Sequence, residues 1–222
     1  MLELDYIDSG IRKAFRKDGV LLIHGMFDQE EVIGVREKLK MTFDHSMDGE
    51  GEIRPWSKAQ SFRHEKEGKL PRLVRMIYEP PTRDIFQRLV ELRNHITGKP
   101  PMWAWRPEDG WWTASRFNQY PKGGGFMDSH SDGGYIGSEP PGGYAQTLLV
   151  MTEYGTDYKA GGGFFESENG LEMVDPKCDV GDVIVYDGKV RHGVSLIDPG
   201  TPVDLTTLNG RIVATVTTLK VL

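Results

Sequence analysis

Apolar positions fall into two regimes along this chain, with a changeover near Pro100. Before it they recur three to four residues apart, the spacing that builds one face of a helix. Leu4, Ile7, Ile11, Ala14 and Phe15 predict a helix over 4–17 that stops at Gly19. Residues 20–23, Val-Leu-Leu-Ile, read as a short buried strand. A second helix is predicted from the N-cap Asp28 to about Phe43, with Glu30 and Glu31 in the first turn, where the positive end of the helix dipole favours acids. A third spans 82–96 behind Pro80-Pro81, with Thr82 as N-cap, Ile85, Phe86, Leu89, Val90 and Leu92 as its apolar face, and Gly98 closing it. Residues 73–78 could form a strand. The stretch 44–70 shows no sustained period, and its length makes it either a candidate lid or a plain surface loop.

Beyond Pro100 the period shortens to two, in segments separated by Gly, Pro and Asp. Strands are predicted at 102–106, 113–120, 126–132, 145–152, 162–167, 171–175, 182–187, 190–197 and 211–219. Many short strands at this spacing suggest a double-sheet jelly roll. The expected fold class is α+β, one domain over 1–222: residues 1–100 give mainly helical support and 101–222 the β core. The runs Gly123-Gly124-Gly125 and Gly161-Gly162-Gly163 read as turns.

Composition narrows the function more than it identifies it. A net charge of −6 over 222 residues argues against general nucleic-acid affinity, which needs clustered Lys and Arg. The basic stretch 54–75 is a local exception, either a solvated surface or a landing site for an anionic substrate. No apolar run approaches a membrane span. The acidic start Met-Leu-Glu-Leu-Asp lacks the positive charge of an export signal, so the expected location is cytoplasmic. A single cysteine, Cys178, excludes an internal disulfide and a cysteine-based metal cluster.

Chemistry concentrates in His130-Ser131-Asp132. On an extended segment these two side chains point the same way. Chance alone supplies roughly half of one His-x-Asp in a chain of this composition, so the tripeptide needs support. His192, on a later predicted strand, would complete a 2-His-1-carboxylate set, which leaves three positions of an Fe(II) open. Arg116, Asn118 and Tyr120 share one face of a strand. Facing inward they would form a polar site; the alternative turns Phe117 in. Arg211 opens an otherwise uncharged strand, and a buried cation there needs a carboxylate, from the protein or from a ligand. Trp103, Trp105, Trp111 and Trp112 cluster at the helix-to-sheet junction, as packing or as a substrate platform.

The ordered series Tyr120, His130-Ser131-Asp132, Gly181-Asp182, His192-Gly193-Val194 and Gly210-Arg211 resembles the Fe(II)- and 2-oxoglutarate-dependent oxygenase superfamily. The opening Phe15-Arg16-Lys17-Asp18-Gly19-Val20-Leu21-Leu22-Ile23 is similar to its phytanoyl-CoA-hydroxylase-like and prolyl-hydroxylase-like branches. The resemblance implies a double-stranded β-helix core, with iron held by His130, Asp132 and His192. It implies that 2-oxoglutarate chelates the iron and pairs its far carboxylate with Arg211, while Tyr120 and Asn118 hydrogen-bond the same co-substrate. Dioxygen would then drive hydroxylation of a small molecule or amino acid derivative, releasing succinate and carbon dioxide. The chain departs from the pattern in two places: the interval from His192 to Arg211 is long, with an extra loop at 198–204, and Val213 stands where the family often has Ser or Thr. Arg116 is therefore a reserve for Arg211, and Thr215 for the missing hydroxyl. Asp132 favours C–H oxidation over halogenation, since family halogenases usually have a small residue there. Desaturation, cyclisation or epimerisation at the same iron, a cupin-like metal isomerase or binding module, and a protein or carrier-bound substrate are the competing expectations.

Overall fold

The computed structural model describes residues 9–46, 54–56, 59–65, 79–108, 110–132, 140, 142–168, 170–203 and 207–220. Helix α1 (Ser9–Asp18) ends where Gly19, at φ 69°, donates its N–H to the Phe15 carbonyl. Strand β1 (Val20–Ile23) follows, then α2 (Gln29–Ser46), capped as expected by Asp28, whose Oδ1 accepts the Glu31 N–H at 3.0 Å. Helix α3 (Thr82–Thr97) begins one residue earlier than its expected cap allows. Pro81 holds the N-cap position and Thr82 is buried inside the first turn, because the Ile85 N–H already bonds the Pro81 carbonyl.

The described β strands are β2 (Arg54–Trp56), β3 (Ala59–Glu65), β4 (Trp111–Tyr120), β5 (Phe126–His130), β6 (Ala145–Val150), β7 (Gly162–Ser167), β8 (Gly170–Met173), β9 (Val183–Asp187), β10 (His192–Ser195) and β11 (Arg211–Lys220). They pair antiparallel throughout, in the order β1-β9-β6-β11-β4-β3-β5-β10-β7-β8, with β2 on β3. Strand β3 pairs with both β4 and β5 and so joins a larger sheet to a smaller one. This is the expected α+β jelly roll with helices on one side.

Two sequence expectations fail for identifiable reasons. Within the 44–70 stretch, expected to lack regular structure, residues 54–56 and 59–65 form a β hairpin paired into the sheets: its strand Ala-Gln-Ser-Phe-Arg-His-Glu has no apolar alternation to reveal it. The predicted strand at 102–106 is a run of turns, with the Trp103 N–H on the Pro100 carbonyl and Ala104 at φ 57°. Arg93 and Asn94 of α3 claim the Trp103 carbonyl at 3.1 and 2.9 Å, which removes it from any ladder. Expectations for 4–8, 73–78 and the side chains of the basic stretch 54–75 lie outside the described residues.

What positions the site is the alternation in four neighbouring strands of the larger sheet. Phe117 of β4, Ala145 and Leu149 of β6, Val183 and Val185 of β9, and Ile212, Ala214 and Val216 of β11 face the helices. There they join Val32, Val35 and Leu39 of α2 and Ile85, Phe86, Leu89, Val90, Leu92 and Ile96 of α3 in one core. The intervening residues, including Arg116, Asn118, Tyr120, Gln146, Tyr186, Arg211, Thr215 and Thr217, line a cavity between the sheets. The helix stripe thus fixes which face of each strand is left for chemistry.

Candidate metal centre and its cavity

His130 closes β5 and His192 opens β10, and the two are direct cross-strand partners, so both rings leave the sheet on the same side. Their centroids stand 4.4 Å apart. Asp132 lies just past the end of β5, which is shorter than the predicted 126–132; the Asp132 N–H is anchored at 2.7 Å to the carbonyl of Gly188. Its carboxylate oxygens come within 3.5 Å of His130 Nε2 and 3.4 Å of His192 Nε2. One ligand atom from each of the three residues falls within 4.8 Å of the others.

Each imidazole is oriented in the same way. Nδ1 of His130 lies 2.8 Å from the Asp128 carbonyl and Nδ1 of His192 lies 2.8 Å from the Val190 carbonyl, so each Nδ1–H donates outward and each Nε2 lone pair faces the centre. Burial lowers the pKa of His192 against the opposing pull of Asp132, which favours the neutral ring a metal requires. Asp132 accepts a hydrogen bond from the Gln146 amide, whose own carbonyl oxygen is held by the Thr217 hydroxyl at 2.9 Å. Tyr186 packs against His192 with ring centroids 4.5 Å apart. Two imidazoles held through Nδ1 and one carboxylate fit a divalent transition metal with open positions.

The cavity measures about 440 Å³ and takes in all three residues together with Arg116, Asn118, Tyr120 and Arg211. Its polar wall is what inward-facing β4 was expected to supply. Asn118 Nδ2 lies 3.5 Å from the Thr215 hydroxyl, while its Oδ1 is buried with no hydrogen-bond partner among the described residues. Arg211 is buried, with its guanidinium 5.5 Å from the Tyr120 ring centre. The partner the sequence demanded for it comes from the protein: Nε and Nη2 bond the two oxygens of Asp175 at 2.6 and 3.1 Å. Burial opposes the charge on Arg211, but the Asp175 carboxylate more than offsets this and raises its pKa.

Sequence reasoning missed Gln146 and Asp175, the residues that hold Asp132 and Arg211. Neither lies in a motif, and only the tertiary pairing identifies them. Of the tryptophans, Trp103 and Trp111 are buried with Ala104 in a small cluster of their own, which is packing.

No protein-family model matches the chain, and no curated protein matches it. Solved structures match in fold. A Pseudomonas putida prolyl-4-hydroxylase aligns with a TM-score of 0.57 and 14% identity over 95% of this chain and 97% of that one. EctD from S. alaskensis, with 2-oxoglutarate and 5-hydroxyectoine, aligns at 0.61 and 15% over 96% and 76%. The alpha-ketoglutarate-dependent carbocyclase SnoK from nogalamycin biosynthesis aligns at 0.62 and 11% over 96% and 84%. The protein therefore has the jelly-roll fold of the 2-oxoglutarate oxygenases.

Proposed function

We propose that the protein is an Fe(II)- and 2-oxoglutarate-dependent dioxygenase that hydroxylates a C–H bond of a small molecule or amino acid derivative. The observation that carries this reading is the convergence of His130, Asp132 and His192 in the same cavity as a buried arginine. The three residues would hold the iron, and Arg211 would take the far carboxylate of 2-oxoglutarate. When bound, the metal supplies coupled oxidation: substrate, dioxygen and 2-oxoglutarate give hydroxylated substrate, succinate and carbon dioxide.

The chain's own residues supply position and charge. The Nδ1 hydrogen bonds fix the ligating nitrogens, and the Gln146 amide leaves Asp132 a defined orientation. A carboxylate beside Asn118 would select the flipped amide, with Oδ1 accepting from the Thr215 hydroxyl and Nδ2 turned to the ligand; the orphaned Oδ1 is consistent with this. Burial, with a further contribution from Asp132, pushes the Tyr144 phenol above its ordinary pKa, so it stays neutral as a hydrogen-bond donor at the cavity wall. Because Asp175 already pairs with Arg211, consumption of 2-oxoglutarate, and not the presence of this cation, separates the dioxygenase from a cupin-like isomerase.

Succinate release from 2-oxoglutarate, followed with Fe(II) under air and under argon against a panel of small molecules, tests the reading. Oxygen-dependent succinate is expected, falling at least about 100-fold in His130→Ala. Equal succinate in the variant, or none from the wild type across the panel, would sink it. Product analysis then separates hydroxylation from desaturation, cyclisation or epimerisation.

A further inference from the structure

The Gly161-Gly162-Gly163 run is more than a turn. Gly162 and Gly163 open β7 against the Arg211–Asp175 pair. A Cβ on Gly163 would stand 2.9 Å from Arg211 Nη2 and 3.0 Å from Asp175 Oδ1, and one on Gly162 would stand 2.5 Å from Asp175 Oδ2. The strand is bare here to admit an ion pair, and the Gly163 N–H also donates to Asp175 Oδ2 at 2.8 Å.

The bonds at Asp175 leave it no freedom. Oδ2 accepts from Arg211 Nε at 2.6 Å, from the Tyr158 hydroxyl at 2.6 Å and from Gly163; Oδ1 accepts from Arg211 Nη2 at 3.1 Å. Burial disfavours this carboxylate, yet Arg211 and the hydrogen bonds from Arg211, Tyr158 and Gly163 together hold its pKa below the ordinary value. A guanidinium has five N–H donors in one plane. Asp175 takes one from Nε and one from Nη2, so Nη1 and the second Nη2 proton lie on the edge turned away from it. Arg211 borders the cavity, whereas Asp175 and Tyr158 stand behind it.

We propose that Asp175, braced by Tyr158, is a positioning residue that locks the Nε/Nη2 edge of Arg211 so that the adjacent Nη1/Nη2 edge is presented as a ready fork for the far carboxylate of the co-substrate. The inference rests on the dioxygenase reading. A free arginine side chain would lose rotamer entropy each time it ordered around a ligand, and a guanidinium already held by a two-point contact has lost it on folding.

The test is equilibrium binding of 2-oxoglutarate to the Fe(II)-loaded protein under argon, by calorimetry, with Fe(II) affinity measured separately. Tyr158→Phe removes one brace without entering the cavity, and is expected to weaken 2-oxoglutarate about 3- to 10-fold, the worth of one hydrogen bond. Asp175→Asn puts an amide N–H against a guanidinium N–H and is expected to weaken it more than 10-fold. Fe(II) affinity stays within twofold in both, and in turnover the loss falls on KM for 2-oxoglutarate and not on kcat. Unchanged or tighter 2-oxoglutarate binding in Tyr158→Phe overturns the proposal even if Asp175→Asn fails to fold. So does wild-type affinity in Arg211→Gln, which would leave the dioxygenase reading intact with another receptor for the carboxylate. A wild type that binds Fe(II) but no 2-oxoglutarate overturns both.

Discussion

Gln146 coordinates nothing in the proposed site, yet Asp132 depends on it. Replacing it by Leu keeps the approximate volume and removes the donor, so Fe(II) affinity is expected to fall about 10- to 100-fold, the usual cost of losing a residue behind a metal ligand. Competition against a chelating dye measures this, and an unchanged affinity would refute the assigned role. Cys178 is the opposite case, a reactive group with no access. Burial, reinforced by nearby Asp175 and Asp182, pushes its thiol up to about 12. Its labelling by a disulfide reagent at pH 8 should track unfolding in urea; rapid labelling of the folded protein would contradict the burial. At this scale the sequence revealed residues whose chemistry is carried by type and spacing, such as His130 with Asp132. It concealed those whose role depends on a partner: Gln146 meets Thr217 across 71 positions, and Asp175 meets Arg211 across 36.

Among elements, α3 was legible because its stripe and terminal Gly98 are local signals. The buried cation in it was not. Arg93 bonds Asn94, the Thr113 hydroxyl at 2.8 Å and the Trp103 carbonyl, all neutral acceptors, and thereby ties α3 to β4 and to the turns at 101–107. Burial lowers its pKa to about 9, which still leaves a cation at neutral pH. Arg93→Ala would take the donor from the Thr113 hydroxyl, leave the Trp103 carbonyl to the Asn94 amide alone and open a cavity, so a loss of about 3 kcal/mol or more is expected from urea unfolding. A loss under about 1 kcal/mol would show that this junction carries little. The hairpin of β2 and β3 was hidden for a related reason: β3 is held by backbone pairing to β2, β4 and β5, which a polar sequence does not advertise.

The whole molecule joins its stability to its cavity through one buried ion pair. Because the pKa of Asp175 is depressed on folding, its contribution is complete above the unfolded carboxyl value, near pH 4, and is lost as pH falls through the folded value. Urea midpoints between pH 3 and pH 7 should therefore drop more steeply on the acid side in the wild type than in Asp175→Asn; parallel curves would disprove the linkage. The jelly roll itself was readable from the change of period near Pro100, but the division of each strand between two faces became explicit only with the register. That division bears on which changes of length the protein can survive. A one-residue insertion or deletion within β11 would exchange Ile212, Ala214 and Val216 for Arg211, Val213, Thr215 and Thr217, driving an arginine and two hydroxyls into the helix interface while filling the cavity with aliphatics. Spacing along this strand is thus less negotiable than the identity of any one residue on it.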